Sequence, residues 1–177
     1  MSVSGTVIRP RPLTAAEFAP FGQVFGDDWS GGAPANDGTA RRFDDVAALD
    51  LAGHGGRPQL SLFRATPLAL PLTVRVLERH PLSSQAFIPL SQKPFLVIVA
   101  PPGETVAGAD VAAFVTAPGQ GVNYAPGVWH HALVALGAVS DFAVVGRAGT
   151  DENCDFFRLD QPVLVAEELA VPGGVDR

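Results

Sequence analysis

Cysteine, basic clusters and long apolar runs are all scarce in this sequence. Its 177 residues include one cysteine, Cys154, so neither an intrachain disulfide nor a cysteine-based zinc site can form. The longest compact apolar run, FLVIVA at 95–100, is far shorter than the roughly 20 residues of a membrane-spanning helix. The formal net charge is -6 and no Lys/Arg-rich run is present, which argues against a nucleic-acid partner.

Targeting features are missing as well. The first residues, MSVSGTVIRPRPL, contain no apolar core and no cleavage signal. A single cysteine is typical of a reducing compartment. These features predict a cytoplasmic protein with no membrane partner.

The composition predicts a single domain spanning 1–177, rich in short strands. Hydrophobic residues make up 47% of the chain, enough for a substantial core, and 19 glycines and 16 prolines favour turns. Thr14 and Glu17 have capping-box spacing, which predicts a short helix that ends before Pro20. The polar, glycine-rich stretch 27–42 is expected to be a long loop or flap.

Strand patterns dominate from residue 58 onward. PQLSLFRA alternates, with Gln59, Ser61 and Phe63 on one face and Leu60, Leu62 and Arg64 on the other. Further short strands follow: LTVRVLERH, QAFIPL, FLVIVA, AAFVT, VNY, VWHHALV and DFAVVGR. No dinucleotide or phosphate-binding motif interrupts them.

This rhythm predicts a mainly β fold, an antiparallel barrel or sandwich with a short N-terminal helix. The stretch 43–51 fits either a helical turn or a strand. The tail after residue 161 is expected to form one edge strand followed by a loose end, GGVDR.

The strand TVRVLERH carries ionisable side chains on an otherwise apolar face. Alternation places Val74, Val76, Glu78 and His80 together, and an unpaired buried carboxylate costs several kcal/mol. The pair should therefore be hydrogen-bonded, bound to a metal, or line a wet pocket. Gln85 opens the next strand and can return beside His80, giving the unit E-x-H-x4-Q.

A second polar motif is NYAPGVWHH, residues 123–131, in which a Pro-Gly turn precedes two adjacent histidines. On a regular strand the two imidazoles point to opposite faces. The spacing from the glycine favours His130 as the inward one, with Trp129 and His131 facing outward or into a subunit contact. The two motifs resemble those of cupin barrels, with Glu78 in place of the first histidine and Gln85 in place of the glutamate.

The strings E-R-H-P-x3-Q-A-F-I-P and G-V-N-Y-x3-V-W-H-H, with DFAVVGRAGTDENCD, resemble the ureidoglycolate lyase family, also called ureidoglycolate hydrolases. The resemblance extends from LTAAEFAPFGQVF to Val165. It implies a cupin-like barrel, a homodimer, and cleavage of ureidoglycolate to glyoxylate and urea in allantoin and purine catabolism. In this family an acidic residue commonly precedes Arg147, whereas this chain has Gly146.

The implied reaction needs a general base, a general acid and a residue that binds the substrate carboxylate. Glu78, His80 and His130 are the expected catalytic residues. The expected substrate-binding residues are Arg64, Gln85, Lys93, Tyr124 and Arg147. The reaction needs either no cofactor or a divalent ion, such as nickel or another transition metal, held by His80, Gln85 and His130.

Other functions are also compatible with these residues. The chain can be a ureidoglycolate amidohydrolase, which releases ammonia, or a non-catalytic cupin that binds a small molecule. A metal-dependent oxygenase or isomerase would need a fuller ligand set. His54 is expected in a loop, and Cys154 is expected to be a buried small side chain rather than a nucleophile.

Overall fold

A computed structural model describes residues 5–26 and 29–168, which form a mainly β, cupin-like fold. Within these ranges lie one α-helix, α1 (Ala15–Phe18), and short 3-10 helices at Asn36–Gly38, Gly53–Gly55 and Gly108–Asp110. The strands are β1 (Thr6–Ile8), β2 (Arg11–Pro12), β3 (Gly22–Phe25), β4 (Ala33–Ala35), β5 (Ala40–Arg42), β6 (Arg57–Ala65), β7 (Leu72–Arg79), β8 (Gln85–Pro89), β9 (Phe95–Ala100), β10 (Ala112–Val115), β11 (Gly121–Tyr124), β12 (Trp129–His130), β13 (Val134–Ala135), β14 (Ser140–Ala148) and β15 (Asp155–Val165). None of the described helices is long and apolar enough to cross a membrane.

The strands form two main sheets that enclose the first of two cores. One sheet has the order β1-β15-β7-β12-β9-β10-β2, with β13 also paired to β9, and the other has the order β3-β11-β8-β14-β6. Pairing is antiparallel except for β1 with β15 and β10 with β2. The antiparallel prediction therefore holds for most of the fold.

Strand β9 shows how the larger sheet separates the two cores. All six of its residues are buried. Val97 and Val99 belong to the first core, together with Phe87 and Tyr124 of the smaller sheet. Ile98 and Ala100 belong to a second core on the opposite face. A strand covered on both faces has a continuous apolar sequence, as FLVIVA does.

Helix α1 forms where the capping box predicts it. The backbone N–H of Glu17 donates to Oγ1 of Thr14 at 3.3 Å, and the Thr14 hydroxyl donates to the Glu17 carboxylate at 3.3 Å. Phe18 at the end of the helix is fully buried in the first core. This single turn is therefore held by packing as well as by its cap.

Three predictions about connecting segments are wrong. The expected loop 27–42 contains the hairpin β4–β5 over its described part, because the chain reverses at Asn36 and Asp37 in left-handed conformations. The stretch 43–51 is neither helix nor strand. Strand β15 is not an edge strand, because it pairs with β1 on one side and β7 on the other. The end GGVDR lies outside the described residues.

The predicted alternation along β7 fails in its first half. Val74 and Leu77, three residues apart, both pack in the second core, so Val74 does not share a face with Glu78. The β7–β15 ladder is irregular at the same place, where Val76 opposes Arg158 but Val74 opposes Val163. The extra residues of this bulge belong to β15.

Candidate active site

A cavity of about 310 Å³ opens where β6, β8 and β14 meet the turns that follow β7 and β14. Gln59, Ser61 and Phe63 line it from β6, which confirms the face predicted from their alternation. The other lining residues are His80, Ser83, Ser84, Gln85, Val144, Gly146, Arg147, Asn153 and Cys154. The cavity is therefore polar on the side of the turns and closed by β strands on the other.

His80 lines this cavity and has a fixed orientation. Its Nδ1 lies 2.6 Å from the backbone oxygen of Asn153. Because a carbonyl oxygen only accepts, Nδ1 carries a hydrogen, and Nε2 of the neutral ring is a bare acceptor. Nε2 is buried and has no hydrogen-bond partner. Burial lowers the pKa of His80, against the hydrogen bond to Asn153, which raises it.

Asn153 also holds the turn that leads from His80 to β8. Its Oδ1 accepts from the backbone N–H of Leu82 at 2.7 Å, and its Nδ2 donates to Oγ of Ser83 at 2.8 Å. One residue thus fixes both the ring of His80 and the path of the chain behind it.

His130 is the inward histidine, as predicted. It is buried, and its Nδ1 lies 3.0 Å from the backbone oxygen of Val128, so Nδ1 donates there and Nε2 points to the site. The ring stacks on Tyr124 with centroids 4.4 Å apart and an interplanar angle of 17°. Gly127 adopts a φ of 77° at the preceding turn, where a side chain would be strained, and its N–H donates to the carbonyl of His80 at 2.9 Å.

Trp129 and His131, the neighbours of His130 in the sequence, do not point into the site. Trp129 does not face outward, because it is buried in the second core and its Nε1–H donates to the carbonyl of Gly103 at 2.9 Å. Arg79 covers its ring, with the guanidinium carbon 4.6 Å from the centroid. His131 is partly exposed, and its Nδ1 contacts the carbonyl of Ala132 at 2.8 Å.

Glu78 completes a group of three converging acceptors. It lies opposite His130 on the neighbouring strand, with Oε1 3.5 Å from Nε2 of His130. One ligand atom from each of Glu78, His80 and His130 lies within 4.8 Å of the other two. The interaction with His130 lowers the pKa of Glu78, although burial opposes this. A proton on Nε2 of His130, or a bound cation, satisfies atoms that otherwise face one another without a donor.

Three of the five predicted substrate-binding residues lie at this site. Gln85 and Arg147 line the cavity, and Tyr124 packs on His130. Oε1 of Gln85 is buried without a partner. The Arg147 side chain is 1% exposed, its Nε donates to the carbonyl of Gly53 at 3.1 Å and its Nη2 to the carbonyl of His54 at 2.8 Å. Its Nη2 also lies 3.5 Å from Oδ2 of the exposed Asp151, so Arg147 has a carboxylate partner at the edge of the cavity.

Arg64 and Lys93, the other two predicted substrate-binding residues, do not line the cavity. Arg64 lies on the opposite face of β6 and forms a bidentate pair with Asp141, with Nε–Oδ1 at 2.7 Å and Nη2–Oδ2 at 2.9 Å. Lys93 is exposed and donates to the carbonyl of Val139 at 2.8 Å. The same alternation that places Ser61 in the cavity excludes Arg64 from it.

Sequence reasoning did not propose Asn153, Ser83 or Ser61 as site residues. The alternation of β6 was a usable signal for Ser61, but nothing local places Asn153 beside a residue 73 positions earlier. Cys154 is partly exposed and lines the cavity, contrary to the expectation of a buried side chain. Burial nevertheless raises the pKa of its thiol, which is unfavourable for a nucleophile.

Gly146 also lines the cavity, on β14 opposite Gln59. A Cβ added there would meet no atom within 4 Å. The departure from the acidic residue expected at this position therefore leaves free space at the cavity wall and disturbs no packing.

These features agree with the comparison to known proteins. A sequence model described as ureidoglycolate lyase matches residues 5–166. The chain belongs to the ureidoglycolate lyase family. Ureidoglycolate lyases from Burkholderia mallei (strain NCTC 10229) and Burkholderia cepacia are 49% identical over 163 residues and 48% identical over 173 residues. These alignments cover 92% and 97% of this chain and 95% and 97% of the two relatives.

A third ureidoglycolate lyase, from Pseudomonas fluorescens (strain SBW25), is 47% identical over 157 residues, which cover 88% of this chain and 94% of the relative. All three alignments span nearly the whole length of both partners. The cavity and the three acceptors thus lie in a chain that is similar to these lyases throughout.

Proposed function

We propose that the protein is an enzyme that cleaves ureidoglycolate to glyoxylate and urea, with the cavity beside His80 as its active site. The observation that carries this assignment is the convergence of Glu78, His80 and His130 on one point next to a polar cavity. Family membership supports the substrate. A single domain built on the two main sheets suffices for this site, because every residue named in it comes from those strands and their turns.

The reaction requires a proton to leave the hydroxyl group and a proton to reach the urea nitrogen as the C–N bond breaks. The carbon–oxygen bond becomes a carbonyl, and no water is consumed. His80 suits the first transfer, because its Nε2 is unprotonated in the neutral ring and its depressed pKa keeps it neutral near pH 7.

The Glu78–His130 pair suits the second transfer. With Nδ1 committed to the carbonyl of Val128, a proton on Nε2 makes His130 an imidazolium facing the Glu78 carboxylate. The pair lies next to His80, whose ring centroid is 5.2 Å from that of His130. A carboxylate at this distance favours positive charge on the imidazole, which suits His130 to the role of the acid.

Arg147 is proposed to bind the substrate carboxylate. It is the only Lys or Arg among the residues that line the cavity. Two backbone carbonyls hold its guanidinium, which costs less conformational entropy on binding than a free side chain does. The buried, unpartnered Oε1 of Gln85 can accept from the ureido N–H groups.

The same three acceptors fit a divalent transition-metal ion. Two imidazole nitrogens and a carboxylate oxygen are suitable ligands, and both Nε2 atoms are buried without a partner. Glu78, with the two histidines, makes a stronger set than the amide oxygen of Gln85 predicted from the sequence. A bound ion would supply Lewis-acid polarisation of a substrate oxygen. Gln85 remains beside His80 as a substrate contact.

A product assay on chelator-treated protein tests the proposal. Glyoxylate and urea in equal amounts without ammonia are expected from ureidoglycolate. Release of ammonia would instead identify an amidohydrolase, and no turnover with or without added divalent ions would contradict enzymatic cleavage of this substrate. A homodimer and a cytoplasmic location stay predictions from the sequence.

A further inference from the structure

A row of cross-strand neighbours runs over the smaller sheet on the face that lines the cavity. Gln59 on β6 pairs with Gly146 on β14, and Gln85 on β8 pairs with Tyr124 on β11. The β14–β8 ladder joins these two pairs, because its last pair lies one position before Gly146 and one position after Gln85. Two glutamines therefore stand on either side of a glycine in the wall of the cavity.

Gly146 is a glycine that neither its backbone nor its packing requires. Its φ is outside the left-handed region, and a Cβ there would meet no atom within 4 Å. The other two strand glycines of the described residues differ, because a Cβ on Gly22 would collide with the backbone of Asn123, and one on Gly121 with the ring of Phe25. Glycine weakens a strand, and where packing does not demand it, it often marks a place that a ligand approaches closely.

The row encloses a slot whose floor is Gly146. Neighbouring strands lie about 4.8 Å apart, so the backbones at Gln59 and Gln85 are about 10 Å apart across the glycine. Oε1 of Gln85 is buried without a hydrogen-bond partner, whereas Gln59 is exposed and donates to Oγ of Ser61 at 3.3 Å. We call this space the Gly146 slot. It begins beside His80 and opens to solvent at β6, the edge strand of its sheet within the described residues.

The side chains around the Gly146 slot suit the neutral end of ureidoglycolate. Gln59, Gln85 and Ser61 offer uncharged donors and acceptors, which match the N–H and C=O groups of a urea. Arg147, the only Lys or Arg that lines the cavity, is held away from the row by two backbone carbonyls. The ureido end of the substrate, rather than its carboxylate, therefore fits the slot.

The Gly146 slot is longer than a ureido group. Three bonds of about 1.3–1.5 Å separate the reacting carbon from the distal nitrogen, so this group extends about 4 Å at most. A ureido group that starts beside His80 reaches Gly146 and ends short of Gln59. The whole cavity, about 310 Å³, is also in the range of about 300–1,000 Å³ that holds drug-sized ligands, which are much larger than ureidoglycolate.

We propose that the protein also cleaves ureidoglycolates with an alkyl group on the distal nitrogen, and that Gly146 provides the space for this group. The proposal rests on the proposed function, because the reacting centre is the same. The hydroxyl group loses its proton as the carbonyl forms, and the scissile nitrogen keeps the electron pair of the C–N bond and gains a proton. The products are glyoxylate and a monoalkylurea, and no further reactant is needed.

A comparison of two substrates tests the activity. Ureidoglycolate and its derivative with a butyl group on the distal nitrogen are each prepared from glyoxylate and the corresponding urea, and the glyoxylate and urea products are quantified. The full chain is expected to cleave the butyl derivative with a kcat/KM within about tenfold of that for ureidoglycolate. Cleavage of ureidoglycolate with a larger loss for the butyl derivative would overturn this inference alone. No cleavage of either compound would overturn the proposed function as well.

Gly146→Val tests the place of the butyl group, because its side chain fills the slot. The ratio of kcat/KM for the butyl derivative to that for ureidoglycolate should fall by about 10–200-fold, the discrimination that small changes of an apolar pocket achieve. Any general loss of activity cancels in this ratio. An unchanged ratio would place the butyl group elsewhere and overturn the role of Gly146.

Two further variants complete the experiment. Gly146→Ala adds one methyl group where a Cβ meets no atom, so it should fold even if the valine variant does not, and it should lower the ratio in the same direction. Leu60→Ala is the matched control, because Leu60 follows Gln59 on β6 but is 69% exposed on the other face of the sheet. A ratio that falls equally in Leu60→Ala would show that the slot does not select the substituent.

Discussion

Oε1 of Glu78 lies 3.5 Å from Nε2 of His130, and the other ring nitrogen of His130 is committed to a backbone carbonyl. Nε2 is therefore the ring nitrogen that faces the carboxylate, which is placed to stabilise positive charge on the ring. The two residues therefore act as a pair, and a change at Glu78 alters the electrostatic environment of His130.

Glu78→Gln is expected to lower kcat for ureidoglycolate cleavage by about 10²–10⁴-fold, the usual contribution of acid–base catalysis. The amide keeps the size of the side chain but no longer stabilises the imidazolium. Glu104→Gln is a suitable control, because the Glu104 side chain is 92% exposed and contacts only Arg79 among the ion pairs of the described residues, at 3.7 Å. Equal rates for Glu78→Gln and the wild type would exclude Glu78 from proton transfer.

Replacing Asn153 is expected to affect catalysis through His80. Asn153→Ala removes the bonds to Leu82 and Ser83 and should destabilise the protein by about 1–3 kcal/mol, as measured by urea unfolding. The carbonyl that orients His80 then loses its support, so kcat should fall more than KM rises. Ser91→Ala, at a turn outside the cavity, serves as the control. A stable Asn153→Ala enzyme with full kcat would contradict the positioning role.

Arg147→Lys is expected to raise KM at least about tenfold, because a lysine cannot form the bidentate contact with a carboxylate. The variant also loses hydrogen bonds to the carbonyls of Gly53 and His54. Lys93→Ala should leave KM unchanged, since Lys93 binds the carbonyl of Val139 outside the cavity. Steady-state kinetics on both variants show whether Arg147 or Lys93 binds the substrate.

The stability of the chelator-treated protein should depend on His80 near neutral pH. Burial depresses the pKa of His80 in the folded state below its value of 6.5 in the unfolded chain. The unfolded state therefore binds the proton first, and the free energy of unfolding should fall as pH drops below about 6.5. Urea unfolding between pH 5 and 8 should show this slope, and His80→Gln should reduce it.

Glu78 extends the same dependence to lower pH. Its pKa is also depressed in the folded state, so its contribution to stability is complete above its unfolded value and is lost as pH falls through the folded one. A stability that rises on acidification from pH 7 would contradict both assignments.

Metal binding can be measured apart from activity. Cobalt(II) added to chelator-treated protein should give visible absorption bands from ligands of Glu78, His80 and His130. His130→Ala should weaken this binding by about 10–100-fold or more, whereas His131→Ala should not, since His131 is turned away from the group. Identical spectra for all three proteins would show that the ion binds elsewhere.

The sequence was sufficient to predict the parts of the fold governed by local pattern. The capping box set α1, and alternation placed Gln59, Ser61 and Phe63 on one face of β6. The motif spacing selected His130 as the inward histidine. The sequence did not predict features that depend on contacts between distant strands. Examples are the irregular pairing opposite Val76 and the burial of Trp129 under Arg79.

The substrate contacts were predicted by residue type and therefore only in part. Arg64 was a reasonable carboxylate ligand, but it lies on the face of β6 opposite the cavity and already has Asp141 as a partner. Asn153 was not predicted, because its contact with His80 joins two turns far apart in the chain. Local patterns do not specify such contacts.

The two imidazoles are oriented by main-chain carbonyls, those of Asn153 and Val128, and not by side-chain partners. The side chain at position 128 can therefore vary during evolution without changing which ring nitrogen is free, whereas the side chain of Asn153 also holds the backbone through Leu82 and Ser83. Insertions and deletions are different, because one added residue between Ala148 and Asn153 would move the accepting oxygen. We expect the length of this turn to vary less among related lyases than its composition does.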